Sequence, residues 1–467
     1  MPRLRKLLMI AGGSARWAAQ SVRRSGWRVV AADHFVDQDL VAACDAAIRW
    51  DRSCHALLSL VKSSCPDAWC YLGGVENAPH LIESVTRHVP LRGSPARSVR
   101  SVRNISGWPV LVERAGWRTL QHRRELRLSD WEKGQWLLKP IRSCGGLAVR
   151  FATKTRRVAA PGWFFQEYWP GDPYAAAFLA LEDGARLLGV TRQWTAGEPM
   201  GPAGMGGMGN CPPSCRFAYA GSIGPVAIEP TWARRLTRLG AVLSRETGLR
   251  GLFGVDFVAR GDELRVVEIN PRPTASMEVL ECLGGGSWMA LHLSAGEDRR
   301  RSSSEDRPPA APGDRPWEAG GDRPSPVAGD RLRSEWSEDR PREPDGGDRP
   351  PGRPGDRRSG SCGDRRSSSC TTYGLFDLVE NGRFCAKRIV YAPGPVPGAA
   401  CAPVWADIED RYGVSVRDIP DGADVIAAGR PVVTLVACGH SAEELEQRLA
   451  AALGELTERL RRPLSPP

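Results

Sequence analysis

One hairpin constrains this chain more than any other stretch. Residues 249–281 read as two strands joined by a polar turn. Leu252 to Val258 is apolar except for Asp256, and Gly261-Asp262 supplies the turn. Leu264 to Ile269 forms the second strand and delivers Glu268, followed by Asn270. A carboxylate inside an apolar strand is disfavoured unless something compensates it. Two on adjacent strands, with an amide two residues on, point to a hard-cation site, because Mg2+ takes oxygen ligands from one or two carboxylates plus substrate phosphates. Glu268 and Asn270 are two apart and leave the same face. Arg272 continues that face, where it could steady a developing negative charge. A single Glu-x-Asn also arises by chance, so the weight of this reading rests on what precedes it.

A length of 467 residues predicts two to four domains, and 41% hydrophobic content supports real cores. The net charge of +10 permits phosphate ligands or an acidic partner. No basic helix, aromatic-interleaved basic strand or finger motif accompanies it, so nucleic acid is not an expected partner. The 13 cysteines include no Cys-x-x-Cys, which argues against a disulfide framework and for a reducing cytoplasm. Cys211-Pro-Pro-Ser-Cys215 lacks further nearby ligands and reads as a loop with two thiols; the seven histidines show no zinc spacing. The apolar run after Met1 to Lys6 is too short for a signal peptide and reads as a first buried strand. No stretch approaches the length of a membrane span, and no membrane association is expected.

Lys6 to Ile10, the Gly12-Gly13-Ser14-Ala15-Arg16 turn, a helix over 17–25 and Trp27 to Ala32 form a βαβ unit, with Asp33 at the second strand's carboxyl end. A glycine turn at a helix N-terminus is a ready anion site, and equally a plain chain reversal. Its spacing is not Gly-x-Gly-x-x-Gly, so no dinucleotide site is indicated. Asp33 to Asp39 is either polar surface or the lining of a cleft. Glu76 and Asn77 again sit at a strand's carboxyl end. Together with Ser14 and Arg16 they outline a substrate edge, since open α/β sheets bind ligands there. Residues 100–130 are basic and read as helical. Trp136 to Val149 then gives strand, loop and strand. Lys139 there can reach phosphate oxygens, and Gly145-Gly146 lets backbone amides approach them; the bland alternative is a hairpin with an exposed Lys. Trp163 to Asp172 is an apolar strand that ends in Glu167, Tyr168 and Trp169, a kinked connection able to stack a base and hydrogen-bond it. Trp232, Leu236, Leu239 and Leu243 have helical spacing, and Gly248 ends that helix.

From residue 297 to 370 the character changes. Asp-Arg recurs at 298, 306, 314, 322, 330, 339, 348, 356 and 364, with Pro, Gly and Ser between. Such a segment has almost no aliphatic side chain to bury and reads as a disordered insert. Order is expected again from 371, with a strand over 383–391, short strands at Val425-Ile426 and 431–437, a capping box at Ser441 to Glu444, and a final helix striped by Leu445, Leu449, Leu453, Leu456 and Leu460.

In that order, these pieces resemble the ATP-grasp superfamily: the N-terminal βαβ unit, the Lys139 strand and glycine loop, the Glu167-Tyr168 connection, then Asp256, Glu268, Asn270 and Arg272. Within it the chain is similar to the group of predicted carboligases related to biotin carboxylase, which includes the tyramine–glutamate ligase of methanofuran biosynthesis. Ala11 to Arg16, Ala32 to Asp37, Gly74 to Pro79, Phe217 to Gly221 and Glu268 to Ser276 carry that similarity. The resemblance implies an α/β (α+β) ATP-grasp fold: an N-terminal βαβ domain (1–98), a two-lobed ATP-binding region (99–296), the insert (297–370) and a small C-terminal β/α subdomain (371–462).

It also implies an enzyme that phosphorylates a carboxylate with ATP and lets an amine displace the phosphate, forming an amide. ATP and Mg2+ (or Mn2+) are then the cofactors. Asp256, Glu268 and Asn270 would hold the metal; Lys139, Gly145, Gly146, Glu167, Tyr168, Trp169 and Asp172 would hold the nucleotide; Arg272 would be catalytic; Ser14, Arg16, Glu76 and Asn77 would meet the substrates. Small-molecule carboxylate and amine partners are implied, glutamate and one-carbon cofactor synthesis among them, and a homodimer is left open. The alternatives are a nucleotide-binding regulator without turnover and a phosphotransferase that stops at a phosphorylated product. Two departures stand out. No second ATP-binding Lys is evident in 100–130, where Arg114 could stand in, and Pro173 occupies the place expected of a ribose-binding acid, which leaves Asp172.

Overall fold

The computed structural model describes residues 5–198, 215–295, 382–398 and 402–461. The expected insert, the start of the C-terminal segment and Cys211 lie outside the described residues.

The chain opens with alternating strands and helices: β1 (Leu7–Gly12), α1 (Arg16–Arg24), β2 (Arg28–Asp33), α2 (Gln38–Ala43), β3 (Ala46–Arg49), α3 (Cys54–Ser64) and β4 (Ala68–Tyr71). The four strands pair in parallel in the order β3-β2-β1-β4. Every residue of β1 is buried, as a parallel strand covered on both faces requires. Its alternate side chains enter different cores. Leu7, Met9 and Ala11 join Leu57, Leu81 and Ile82, while Leu8 and Ile10 join Ala18 and Val22 of α1 together with Met277, Leu280 and Trp288 from far along the chain. Each such aliphatic side chain contributes about 1.5–3 kcal/mol on burial, so this second core fastens the N-terminal sheet to the body. Helix α1 ends before Gly26, whose φ of +86° suits glycine alone. Helices α4 (Pro79–Thr86) and α5 (Ala96–Arg103) lead onward, and the junction expected at residue 98 falls inside α5.

Residues 100–130 are mixed rather than simply helical. After α5 come α6 (Trp108–Arg114), β5 (Arg118–Thr119) and β6 (His122–Arg123). Gly116, at φ +81°, stops α6 after two turns. Helix α7 (Leu128–Lys133) precedes β7 (Gln135–Pro140), β8 (Arg150–Phe151) and β9 (Trp163–Tyr168). These build a small antiparallel sheet, β6-β9-β7-β8, over a core of Leu126, Trp136, Leu138 and Phe165.

The large sheet uses β10 (Asp172–Leu181), β11 (Gly184–Thr195) and β12 (Tyr219–Gly224), then, after α8 (Pro230–Thr247), β13 (Gly251–Arg260) and β14 (Glu263–Asn270). Leu236, Leu239 and Leu243 of α8 are buried as their spacing predicts, and Gly248 ends the helix at φ +68°. Helices α9 (Met277–Gly284) and α10 (Trp288–Ala295) follow. The C-terminal segment contributes β15 (Phe384–Tyr391), β16 (Val396–Pro397), α11 (Ala402–Tyr412), β17 (Ser415–Arg417), β18 (Val425–Ile426), β19 (Pro431–Gly439) and α12 (Ala442–Arg461). Among the described residues the large sheet runs β17-β19-β15-β12-β11-β10-β13-β14-β5. Strand β15 pairs with β12, so the C-terminal segment continues the sheet that holds the hairpin. In α12 the buried stripe is Leu445, Leu449, Ala452, Leu456 and Leu460. Ala452 takes the place expected of Leu453, because a period of 3.6 drifts away from a strict repeat of four. Ser441 caps α12 by accepting the Glu444 N–H at 3.2 Å.

Candidate active site

Strands β13 and β14 set Asp256 directly opposite Glu268, and Gly254 opposite Asn270. A bulge between Asp256 and Phe257 leaves Val267 without a cross-strand partner. The Val267 carbonyl instead accepts from the Gln166 side chain at 3.2 Å, which ties the hairpin to the small sheet. Asn270 Nδ2 donates to Asp256 Oδ2 at 3.0 Å, and Gln193 Nε2 lies 3.4 Å from Asp256 Oδ1. Lys139 Nζ donates to Gln166 Oε1 at 3.0 Å and stands 4.0 Å from Glu268 Oε2. Burial, then the facing Glu268 charge, pushes the Asp256 carboxyl up to about 7. Burial would also raise Glu268, but Lys139, Arg103 and Arg272 outweigh it and hold that carboxyl below its usual range. Burial lowers the Lys139 ammonium against the pull of Glu268.

Among the described residues no group of three or more His, Cys, Asp or Glu side chains is placed to hold a metal. Two carboxylates and an amide oxygen do fit Mg2+, which draws its remaining oxygens from phosphate and water. The raised Asp256 carboxyl marks a surplus of negative charge that a cation would relieve.

Arg272 is buried and fully engaged. Its Nε donates to Glu76 Oε1 at 2.8 Å, Nη1 to the Pro273 carbonyl at 3.0 Å, and Nη2 to Cys144 Sγ at 3.3 Å and Asn270 Oδ1 at 3.4 Å. Glu76 is 1% exposed, and its second oxygen, Oε2, is buried with no partner among the described residues. Asn77 lies in a short 3-10 turn after β4, donates to the Ser143 carbonyl at 3.3 Å and accepts from Arg103 at 2.9 Å. The structure therefore brings Glu76 and Asn77 to Arg272 and the loop after Lys139. Gly145 and Gly146 sit at φ +65° and +71°, and a Cβ on Gly146 would lie 2.0 Å from the Phe217 carbonyl. The glycine pair is required by backbone geometry at that contact.

At the β9–β10 connection the Glu167 side chain accepts from Arg265 Nη1 and the Gln121 N–H, both at 3.1 Å. Trp169 is buried between the guanidinium groups of Arg265 and Arg260, at 4.5 and 4.6 Å. Its ring is thus committed to the two arginines. Tyr168 makes edge contacts to Phe151 and Phe217, and Asp172 is exposed at the start of β10. A pocket opens onto Lys139 and Glu268 between α5, α6 and the small sheet, walled by Val102, Trp108, His122 and Phe164. Arg114 is exposed and paired with Glu246 at 2.7 Å, among neither the pocket nor the trio contacts.

Residues 120–276 match the family model for the ATP-grasp domain. The chain carries an ATP-grasp domain. That domain spans Lys139, the glycine loop, the β9–β10 connection, the carboxylate pair and Arg272. The formate-dependent phosphoribosylglycinamide formyltransferase of Dechloromonas aromatica (strain RCB) is 30% identical over 125 residues, 25% of this chain and 29% of that protein's length. Two solved structures share the fold across nearly the whole chain. Carboxyaminoimidazole ribonucleotide synthase from Aspergillus clavatus, complexed with ATP, has a TM-score of 0.60 at 13% identity and covers 98% of this chain and 99% of its own. Biotin carboxylase from Campylobacter jejuni has a TM-score of 0.60 at 11% identity, covering 98% and 95%. At such identities the likeness establishes the fold.

Beside the ATP-grasp trio lies a second charged cluster that sequence reasoning missed. Glu278, two residues into α9, is 1% exposed and takes Arg16 Nη1 at 2.6 Å, Lys387 Nζ at 3.0 Å and Arg417 Nη1 at 3.1 Å. Burial would raise this carboxyl, but Arg16 and Lys387 hold it well below the usual range. Arg16 also binds Asp418 at 2.7 Å and lies 3.5 Å from Asp39.

The turn that was expected to meet a substrate at Ser14 and Arg16 is occupied from within the chain. The Asp33 carboxylate already accepts the Ala15 N–H at 2.6 Å, and Arg16 turns inward, 2% exposed, onto Glu278 and Asp418. Ser14 alone remains exposed at the turn. The signal for Glu278 was present, six residues past Arg272. A carboxylate in the first turn of a helix reads as ordinary complementarity to the helix dipole, and its basic partners come from three distant segments.

Proposed function

We propose that the protein is an ATP- and Mg2+-dependent ligase that joins a carboxylate to an amine through an acyl-phosphate. The observation that carries this reading is the facing pair Asp256 and Glu268 with Asn270 on one hairpin, within reach of Lys139 and Arg272. Asp256, Glu268 and Asn270 would hold Mg2+ (or Mn2+), which when bound neutralises charge on the nucleotide phosphates. Lys139 and the amides of the Gly145-Gly146 loop meet those phosphates, and the backbone from Glu167 to Trp169, with Tyr168 and Asp172 beside it, meets the nucleoside. A substrate carboxylate oxygen attacks the terminal phosphorus and ADP leaves. The amine then attacks the acyl carbon, phosphate departs with the acyl C–O bond broken, and the amine gives up a proton. Arg272 faces the charge that develops on the transferred group.

Glu76 has two roles in this reading. One oxygen steadies Arg272, and the buried, unpartnered Oε2 suits an amine N–H. Asn77 orients the loop at Ser143, Ser14 lines the outer edge, and Arg16 supports the site through Glu278. An amino-acid-like acid such as glutamate, a primary amine and a role in one-carbon cofactor synthesis complete the proposal, with a cytoplasmic location and a homodimer as the expected setting. A second reading replaces the amino acid with a one-carbon acid, favoured by the formate-dependent name of the curated relative.

The test is to follow ADP from purified full-length protein with ATP, Mg2+ and pairs drawn from amino acids, formate, bicarbonate and amines. Release that requires both an acid and an amine supports ligation. Release with an acid alone, unchanged by any amine, would show a phosphotransferase instead.

A further inference from the structure

Helix α5 ends on Arg103, a half-buried cation in its last turn. Arg100, in the same turn, meets Glu83 at the surface at 2.5 Å. Arg103 takes other partners. Its Nη2 donates to the Ile141 and Ser143 carbonyls, both at 3.2 Å, and to Asn77 Oδ1 at 2.9 Å. Asn77 Nδ2 donates to the same Ser143 carbonyl at 3.3 Å. Arg103, Asn77 and Ser143 thus close a ring of hydrogen bonds. That ring joins the turn after β4 to the segment between Lys139 and Gly145. It also fixes the Asn77 amide, whose oxygen faces the guanidinium because a guanidinium only donates.

One nitrogen of the guanidinium makes all of these bonds. Arg103 Nε and Nη1 make no hydrogen bond among the described residues. Arg103 also lines the pocket that opens onto Lys139, Ser143 and Glu268. A guanidinium is a planar fork of N–H donors that matches phosphate oxygens. Here that fork is held through one nitrogen and left open at the other two. Its charge reaches the hairpin. Burial would raise the Glu268 carboxyl, and Lys139 followed by Arg103 draws it down.

We propose that Arg103 binds a phosphate of the nucleotide through Nε and Nη1, and that Asn77 is its positioning residue. The proposal rests on the reading of Lys139 and Glu268 as the phosphate end of a nucleotide site. It places a second cation beside Lys139. It also gives Asn77 a task other than touching substrate: without the amide oxygen, the guanidinium loses the shortest of the contacts that orient it. Nucleotide affinity then depends on the carboxyl edge of the N-terminal sheet, the same edge at which the substrates are expected. In the sequence this role was covered by a common pattern, since a cation in the last turn of a helix reads as a complement to the helix dipole.

The test is calorimetry on full-length protein with MgADP and, separately, with adenosine, which carries no phosphate. Arg103→Gln should bind MgADP roughly tenfold to a hundredfold more weakly, the size of a lost charge-assisted contact, and bind adenosine as the wild type does. Arg103→Lys keeps the charge without the fork and should lose less. Asn77→Ala should weaken MgADP binding in the wild type and add no further loss to Arg103→Gln, because residues that act through one contact are not additive. Melting temperatures without nucleotide show that each variant is folded.

Equal losses for MgADP and adenosine, or equal losses in the Gln and Lys variants, would reduce Arg103 to a staple of the loop and overturn the phosphate contact. Additive losses would overturn the pairing with Asn77. Unchanged MgADP binding in Arg103→Gln, with binding lost in Lys139→Ala, would overturn this inference and leave the nucleotide reading standing. MgADP binding that needs neither cation would overturn both.

Discussion

Arg16 shows how far from its own segment a buried cation can find its partners. A cation at a helix N-terminus suggests anion binding, but the segments that claim Arg16 lie 262 and 402 residues away, at Glu278 and Asp418. Arg16→Ala should therefore act on stability. Removing one partner of a buried ion pair costs about 3–5 kcal/mol, and the remaining contacts of Glu278 to Lys387 and Arg417 place the loss at the lower end. Chemical denaturation would show it. Unchanged stability with a raised KM would return Arg16 to the substrate site.

Asp37 offers a second residue-scale prediction. It is 6% exposed, and burial with Asp418, Asp33 and Asp39 around it pushes its carboxyl up to about 9. A raised carboxyl favours the folded state while it stays protonated. That contribution is full below the unfolded value near 3.9 and is lost as pH rises through about 9. Asp37→Asn should therefore raise the melting temperature at pH 8 and leave it nearly unchanged at pH 4. An equal shift at both pH values would contradict the buried acid.

At the scale of elements, the β13–β14 hairpin was legible because alternation, a Gly-Asp turn and misplaced carboxylates all point one way. Helices α8 and α12 were legible through their apolar stripes. Residues 100–130 were not, since strands β5 and β6 are two residues each and get their order from pairing with β14 and β9, which no local pattern records. The Gly145-Gly146 pair was legible as a loop between strands, but its contact with Phe217 was not. A side chain at residue 146 meets both a positive φ and a carbonyl at 2.0 Å. Gly146→Ala should weaken ATP binding about tenfold or more while lowering the melting temperature by only a few degrees, because the strain falls in the loop and outside the cores. Calorimetry with ATP and Mg2+ would measure it, and wild-type affinity would show that the loop tolerates the shift.

For the whole molecule, the order of the pieces carried the fold while single motifs stayed weak. The N-terminal βαβ unit, the strands on either side of the Gly145-Gly146 loop and the hairpin follow from patterns in the sequence. The continuation of the large sheet through β15 and β19 does not, because pairing across so many intervening residues leaves no spacing to read. The charged cluster at Glu278 shares that cause, as it joins α1, α9, β15 and β17.

The central claim is that the hairpin carboxylates and Lys139 form the seat of a phosphoryl transfer. Its most direct measurement is Mg2+-dependent ADP release by full-length Glu268→Gln, set beside wild type with the acid and amine pair that the panel identifies. The account predicts a loss of at least about a hundredfold, of the size seen when a developing charge loses its stabilising group, with an unchanged melting temperature. Near-normal ADP release by that variant would place the chemistry elsewhere in the molecule.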